Sequence, residues 1–261
     1  MKVQALEKKK DSLTLSIAGA SPGFINALRR IILSEVPTMA IDVVEFKKNN
    51  TGLYDEIIAH RLGLLVLKTD LKHYNLPEEC SCGGVGCAKC QVRLTLKANK
   101  QGFVYASQLQ SSDPKIVPVH EKTPIVKLLP GQELELEAIA TLGRGKTHAK
   151  WQPGHVYFRE RVSIKTKHCD EEKSKQLVEV CPAKVFTFKQ GKLSIKNPDN
   201  CLLCNACVEK TGCVEITPTG EYLFFLESWG QLKPVEILER ASYELDLKLN
   251  SLLTLLKQAT S

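Results

Sequence analysis

The stretch SPGFINALRRIILSEVPTMAID, Ser21 to Asp42, decides how the rest of the chain is read. Ser21 carries the side-chain oxygen that caps a helix N-terminus, and Pro22 suits the first helical position, where no backbone N–H is required. Phe24, Ile25, Leu28, Ile31, Ile32 and Val36 then recur at three- and four-residue steps, which places them on one face of a helix. Pro37 ends it, because a proline pushes the residue before it out of helical geometry. Arg29 and Arg30 sit side by side near the centre, either as a solvated pair or as a contact to a partner.

Working outward, Leu13, Leu15 and Ile17 alternate with polar residues and predict a strand over Ser12 to Ile17. A second helix is predicted over Tyr54 to Leu62, and the apolar run LGLLVLKTD after it reads as a strand. QVRLTLKAN from Gln91, ELELEAIATL from Glu133 and HVYFRERVSI from His155 read as further strands, and EYLFFLESW from Glu221 as a buried one. The longest helix signal is C-terminal. Pro234 starts it, and Leu238, Ala241, Leu245, Leu249, Leu252 and Leu256 keep helical spacing, flanked by the apolar Leu247, Leu253 and Leu255. About 25 residues make a rod of roughly 37 Å. Its stripe is wider than a small domain needs, so it is either a core helix or a face that a second chain covers. The order of elements predicts an α+β protein with inserted domains.

Composition excludes some classes. The chain has 261 residues, 43% of them apolar and 25% charged, in the range of a soluble globular protein. No apolar run reaches the ~18 residues of a membrane span, and the start, MKVQALEKKKDSLTLSI, has no signal-peptide pattern, so a cytoplasmic protein is expected. The net charge of +7 fits a nucleic-acid assembly and fits a plain basic protein equally well. With no dense Lys/Arg stripe and interleaved aromatics, direct nucleic-acid binding is not expected.

Ten cysteines need an explanation. Cytoplasmic thiols are kept reduced, so clustered cysteines read first as metal ligands, proteins of hyperthermophilic archaea being the exception. Cys201, Cys204 and Cys207 have C-x2-C-x2-C spacing, and Cys181 upstream is followed by Pro182. This is half of the two-cluster ferredoxin pattern, in which three close thiolates and one remote C-P cysteine hold an iron–sulfur cube. Cys181, Cys201, Cys204 and Cys207 are therefore expected to hold one cluster, 4Fe-4S, or 3Fe-4S if a corner iron is lost. Zinc is the alternative for four thiolates, although zinc ribbons use two C-x2-C pairs. The triplet for a second cluster would fall on Glu171, Ser174 and Leu177, and its remote ligand on Thr211, none of them a thiolate. Cys169 and Cys213 are read as relics of that site, close to each other as thiols or as a disulfide.

A separate run, ECSCGGVGCAKC, brings Cys80, Cys82, Cys87 and Cys90 within eleven residues. Four such ligands can close a tetrahedral zinc site. The cramped C-x1-C pair leaves an empty or disulfide-linked loop as the alternative. ATLGRGKT, from Ala140 to Thr147, imitates a phosphate-binding loop, but Pro153 and Gly154 deny it the helix that such a loop requires. Lys146, His148, Lys150 and Trp151 are read as loop residues. No motif for hydrolysis or for carboxylate-held Mg²⁺ is present, and no catalytic residue is assigned.

The opening stretch resembles the signature of the RNA polymerase subunit called D in archaea, the counterpart of the amino-terminal domain of the bacterial alpha subunit. The likeness continues through LYDEIIAHRLGLLVL from Leu53, GRGKTHAKW from Gly143 and ESWGQLKPVEILERA from Glu227. The resemblance implies a dimerisation domain split across residues 1–46, 154–166 and 221–261. An insert domain with the first cysteine loop would occupy 47–153, and a ferredoxin-like iron–sulfur domain 167–220. It implies a non-catalytic platform that pairs with subunit L, is joined by subunits N and P, and docks the large catalytic subunits of a nucleotidyltransferase. The partner face would include Phe24, Leu28, Arg29, Arg30, Ile32, Leu245, Leu249, Leu252 and Leu256. One departure stands out: two-cluster members of that family have the triplet missing here, so a redox relay has no basis. A ferredoxin-like electron-transfer or redox-sensing protein is the competing reading.

Overall fold

A computed structural model of the chain describes residues 1–260. Strands β1 (Lys2–Lys8) and β2 (Ser12–Ala18) lead into α1 (Pro22–Ser34) and the long strand β3 (Pro37–Asn49). Ser21 caps α1 as its sequence implies, its hydroxyl oxygen accepting from the Phe24 N–H at 3.2 Å. Helix α2 (Asp55–Gly63) precedes β4 (Gln91–Ala98), β5 (Gly102–Tyr105), β6 (Gln110–Ser111), β7 (Pro124–Leu128), β8 (Leu134–Arg144) and β9 (Gly154–Thr166). Then come α3 (Glu171–Val180), β10 (Phe186–Lys189), β11 (Lys192–Ile195), α4 (Ala206–Thr211), β12 (Val214–Ser228) and α5 (Pro234–Ala259). Among the described residues, no helix is long and apolar enough to cross a membrane.

The chain divides into two compact units. One holds Met1–Lys8, Thr14–Asn26 and Tyr157–Phe225; the other holds Lys9–Leu13, Ala27–Val156 and the residues from Leu226 onward. In the latter, an antiparallel sheet runs β3-β8-β4-β6. Strand β8 shows why it forms: Leu134, Leu136, Ala138, Ala140 and Leu142 are buried while the residues between them are half-buried, the period-two pattern of a strand with one face on a core. Ile58 and Leu62 of α2 pack into that core with Met39, Ile41, Leu94, Leu96 and Ile125. Strands β5 and β7 pair separately.

The run LGLLVLKTD does not form the expected strand. Gly63 still belongs to α2, and only an isolated bridge, Leu67 to Pro118, follows. Leu65 and Leu67 are buried, so the run is apolar because it lines the core. Its backbone partners come from two places: Lys68 N–H donates to Val117 O, and Thr69 N–H to Gln231 O. No continuous ladder results.

The phosphate-loop imitation has a structural purpose. A Cβ on Gly145 would overlap the carbonyl oxygen of Leu33, so the loop can approach α1 only with glycine there. Lys146 N–H donates to Ser34 O, and Thr147 and His148 N–H both donate to Arg144 O. Lys150 reaches Asp42 at 2.7 Å and Ile41 O at 3.1 Å, and lies over the Trp151 ring at 4.3 Å.

The other unit is built on the sheet ordered β1-β2-β12-β9. Between β9 and β12 lie α3, the β10–β11 hairpin and α4, around a small core of Leu177, Val185, Phe186, Cys207, Cys213 and Val214. Two of these six buried side chains are cysteines.

Candidate metal centres and assembly face

The first cysteine loop follows a single turn of 3-10 helix, Pro77–Glu79. Gly86, at φ +105, takes a turn that a side chain would resist. The loop folds back so that Cys80 Sγ lies 3.7 Å from Cys87 Sγ, Cys82 Sγ 3.6 Å from Cys90 Sγ, and Cys87 Sγ 3.8 Å from Cys90 Sγ. All four sulfurs are within 4.8 Å of one another. Four thiolates around one zinc at about 2.3 Å define a tetrahedron with edges of about 3.8 Å. The donor set is soft and the spacing matches, so these residues fit a single tetrahedral ion. Hydrogen bonding, chiefly from the Gly86 N–H, pulls the Cys82 thiol down to about 6, whereas burial pushes Cys90 up to about 12. A cation at the centre would favour the thiolate at both.

The second set is arranged differently. Cys181 caps the C-terminal end of α3, Cys201 ends a 3-10 turn (Pro198–Asn200), Cys204 is exposed, and Cys207 is buried in α4. All four line one small pocket, together with apolar neighbours such as Ile164, Val185 and Phe186. Leu203 (φ 55) and Asn205 (φ 57) are left-handed, winding the CLLCNAC segment tightly beside that cavity. Non-glycine residues held there cost on the order of 1 kcal/mol each. The Val185 N–H points at Cys181 Sγ at 3.5 Å, and burial raises the Cys207 thiol, with the neighbouring Cys181 and Cys201 adding to it. Among the described residues, no set other than the Cys80 group brings three or more ligand atoms so close together. Four thiols spread round an apolar cavity suit a cluster, whose own atoms fill the space between the sulfurs.

Cys169 and Cys213 lie close together: Cys169 Sγ is 3.9 Å from Cys213 O, and burial, then the Cys213 side chain, pushes Cys169 up to about 11. Of the positions where a second cluster's ligands would fall, Ser174, Leu177 and Thr211 are buried. Ser174 Oγ donates to Asp170 O, and Thr211 Oγ1 to Cys207 O, each at 2.8 Å.

The expected partner residues divide. On α1, Phe24 and Arg30 are exposed, and Leu28 and Arg29 half-buried. Ile32 is fully buried in this chain, which corrects its assignment: its side chain is already covered and offers nothing to a partner. On α5, the buried residues Pro234, Ile237, Ala241 and Glu244 are confined to the first half. Leu245 is half-buried, and every residue from Asp246 to Thr260 is exposed, including Leu249, Leu252 and Leu256 and the flanking Leu247, Leu253 and Leu255.

One residue beside the first cysteine loop escaped sequence reasoning. Arg144, at the end of β8, holds Glu78 at 3.1 Å and Glu79 at 2.8 Å, directly ahead of Cys80, and lies 3.7 Å from the buried Glu244. Nothing in the local sequence signals this, because the partners are far apart in the chain.

Residues 44–164 match the family model described as the RNA polymerase Rpb3/RpoA insert domain. The chain is 36% identical to the protein named DNA-directed RNA polymerase subunit Rpo3 of Methanosphaera stadtmanae, over 99% of each chain. It is 37% identical to the protein of that name from Pyrococcus furiosus, over 100% of this chain and 99% of the other. To the one from Methanosarcina acetivorans it is 34% identical over 99% of each.

Proposed function

The chain belongs to the family of DNA-directed RNA polymerase subunit Rpo3, and from that premise we propose how it works as the assembly platform of the enzyme. It is part of the nucleotidyltransferase complex and supplies none of its catalytic residues. The observation that carries the proposal is the second half of α5, where six leucines stand in solvent and no element among the described residues covers them. Burying each would stabilise an interface by roughly 2 kcal/mol, and an isolated helix segment of this length is marginal in water. Subunit L is the partner proposed for this face and for Phe24, Leu28, Arg29 and Arg30 of α1, with subunits N and P and the large subunits docking around the pair.

The same reading divides the chain into a dimerisation domain (1–46, 154–166 and 221–261), an insert domain (47–153) and a ferredoxin-like domain (167–220). In it, Cys80, Cys82, Cys87 and Cys90 hold a structural zinc, while Cys181, Cys201, Cys204 and Cys207 hold one iron–sulfur cluster. When bound, these groups supply metal–thiolate bonds that contribute folding free energy directly. Support comes from the short sulfur–sulfur distances in one loop and the cysteine-lined cavity in the other lobe. Cys169 and Cys213 are read as a relic pair of a lost second site, as thiols or as a disulfide. The electron-carrier reading gains nothing from full-length relatives named as polymerase subunits.

Co-expression of the chain with subunit L tests the platform. Leu249→Glu with Leu252→Glu is expected to abolish the heterodimer in size-exclusion chromatography, because each carboxylate would be buried without a partner. A double variant that forms the heterodimer like the parent would sink the assignment of this face.

A further inference from the structure

The loop that carries three of the four proposed cluster ligands has few anchors of its own. From Asn197 to Cys201 its backbone bonds are local: Asn200 N–H donates to Asn197 O, and Cys201 N–H to Pro198 O, each at 3.0 Å. Leu202, Leu203 and Cys204 are exposed, and of the loop's three proposed ligands only Cys207, at its far end, is buried. The side chain that does reach it comes from the sheet. Arg161, on β9, donates from Nε to Asp199 Oδ1 and from Nη2 to Asp199 Oδ2, both at 2.8 Å. Its remaining nitrogen, Nη1, donates to Glu221 Oε2 on β12 at 3.1 Å. Glu221 in turn accepts from the hydroxyl of Ser16 on β2. One guanidinium thus joins the turn ahead of Cys201 to strands β9 and β12, and its orientation is supported from a third.

We propose that Arg161 is a positioning residue for the metal loop: by gripping Asp199, two residues before Cys201, it sets the Cys201–Cys207 segment in register with the sheet so that the four thiols face one cavity. This rests on reading Cys181, Cys201, Cys204 and Cys207 as cluster ligands. A two-point fork fixes direction as well as distance, which a single ion contact does not. The three side chains are 30 to 40% exposed, so solvent screens much of their attraction. What Arg161 contributes is chiefly the ordering of a loop that would otherwise lose that freedom when metal binds. An ordinary surface ion pair would stabilise the metal-free and metal-loaded forms alike, and the experiment turns on that difference.

The full chain is co-expressed with its partner subunit and purified without oxygen. Iron and acid-labile sulfide are assayed, and the loss of visible absorbance is followed after adding an iron chelator. Arg161→Gln and Asp199→Asn are expected to release iron about tenfold faster, the low end of what outer partners of metal ligands contribute. Arg161→Lys, which keeps the charge without the fork, should fall between them and the parent. The metal-free forms should melt together, and only the increase in melting temperature on loading should shrink. Iron release at the parental rate in both neutral variants would overturn the proposal. So would an equal loss of melting temperature in metal-free and loaded forms, which marks a purely structural pair. A parent without iron and sulfide would overturn the cluster reading itself and this inference with it. Asp199→Asn, at a partly exposed turn, serves where Arg161→Gln does not fold.

Discussion

The two cysteine lobes use the same chemical material for unequal tasks. The Cys80 loop hangs from a unit whose core includes Met39, Ile41, Ile58, Leu62, Leu94, Leu96 and Ile125, on a four-stranded sheet. The Cys181 lobe has six buried core side chains, and Cys207 and Cys213 are two of them. In the first, a metal would close a loop on a body that already has a core. In the second, one proposed ligand, Cys207, is itself part of the core, and a metal would do some of the work that leucines do elsewhere. How much stability a staple adds depends on how much apolar burial surrounds it.

This contrast can be broken most directly at Cys204. Its side chain is exposed, so Cys204→Ser removes a proposed ligand with little packing loss. We expect the segment 167–220 to become protease-sensitive, with cleavage faster by an order of magnitude or more, as befits a metal-dependent fold. A lobe that resists protease equally well after the change would erase the distinction. The matching change in the other loop, Cys82→Ser, should abolish zinc binding measured by atomic absorption. Amide exchange on β4 and β8 should stay at parental rates, with faster exchange confined to residues 77–90.

A smaller effect is expected at Arg144. Arg144→Gln leaves Glu244, whose side chain is only 4% exposed, with Arg240 as its remaining arginine. The cost should be roughly 1–2 kcal/mol in denaturant unfolding, below the full penalty of an unpaired buried charge because Arg240 stays at 2.6 Å.

The smallest effect lies in the first lobe's acid response. The Tyr74 hydroxyl donates to Asp113 Oδ2 at 2.6 Å, and this bond, ahead of the Lys115 N–H, holds the Asp113 carboxyl below its ordinary 3.8. A depressed carboxylate stabilises the fold above its ordinary value, and that contribution disappears as pH falls through the folded value. Tyr74→Phe should therefore cost about 1 kcal/mol near neutrality. The gap from the parent should narrow as pH falls through the lowered value of the folded carboxyl; a gap that widens in acid would contradict the assignment.

Much of this was legible in the residues. Alternation marked β4 and β8, and a serine followed by proline marked the start of α1, because those signals are local and periodic. Which cysteines come together was legible, because their spacing is itself a sequence pattern. LGLLVLKTD misled because an apolar run says that a segment is buried but not that it pairs. Ile32 misled because a helical stripe does not reveal which of its residues the chain covers for itself. The grips of Arg144 on Glu78 and of Arg161 on Asp199 left no trace, since each spans tens of positions and any charged residue on a strand looks the same in isolation.

The bare end of α5 has a consequence for supply inside the cell. On the proposed assignment of this face, a copy that has not met its companion displays the kind of apolar, poorly anchored helix that chaperones and proteases recognise. Surplus chains would thereby mark themselves for disposal, and the pool of this polypeptide would track that of its companion without any dedicated regulator.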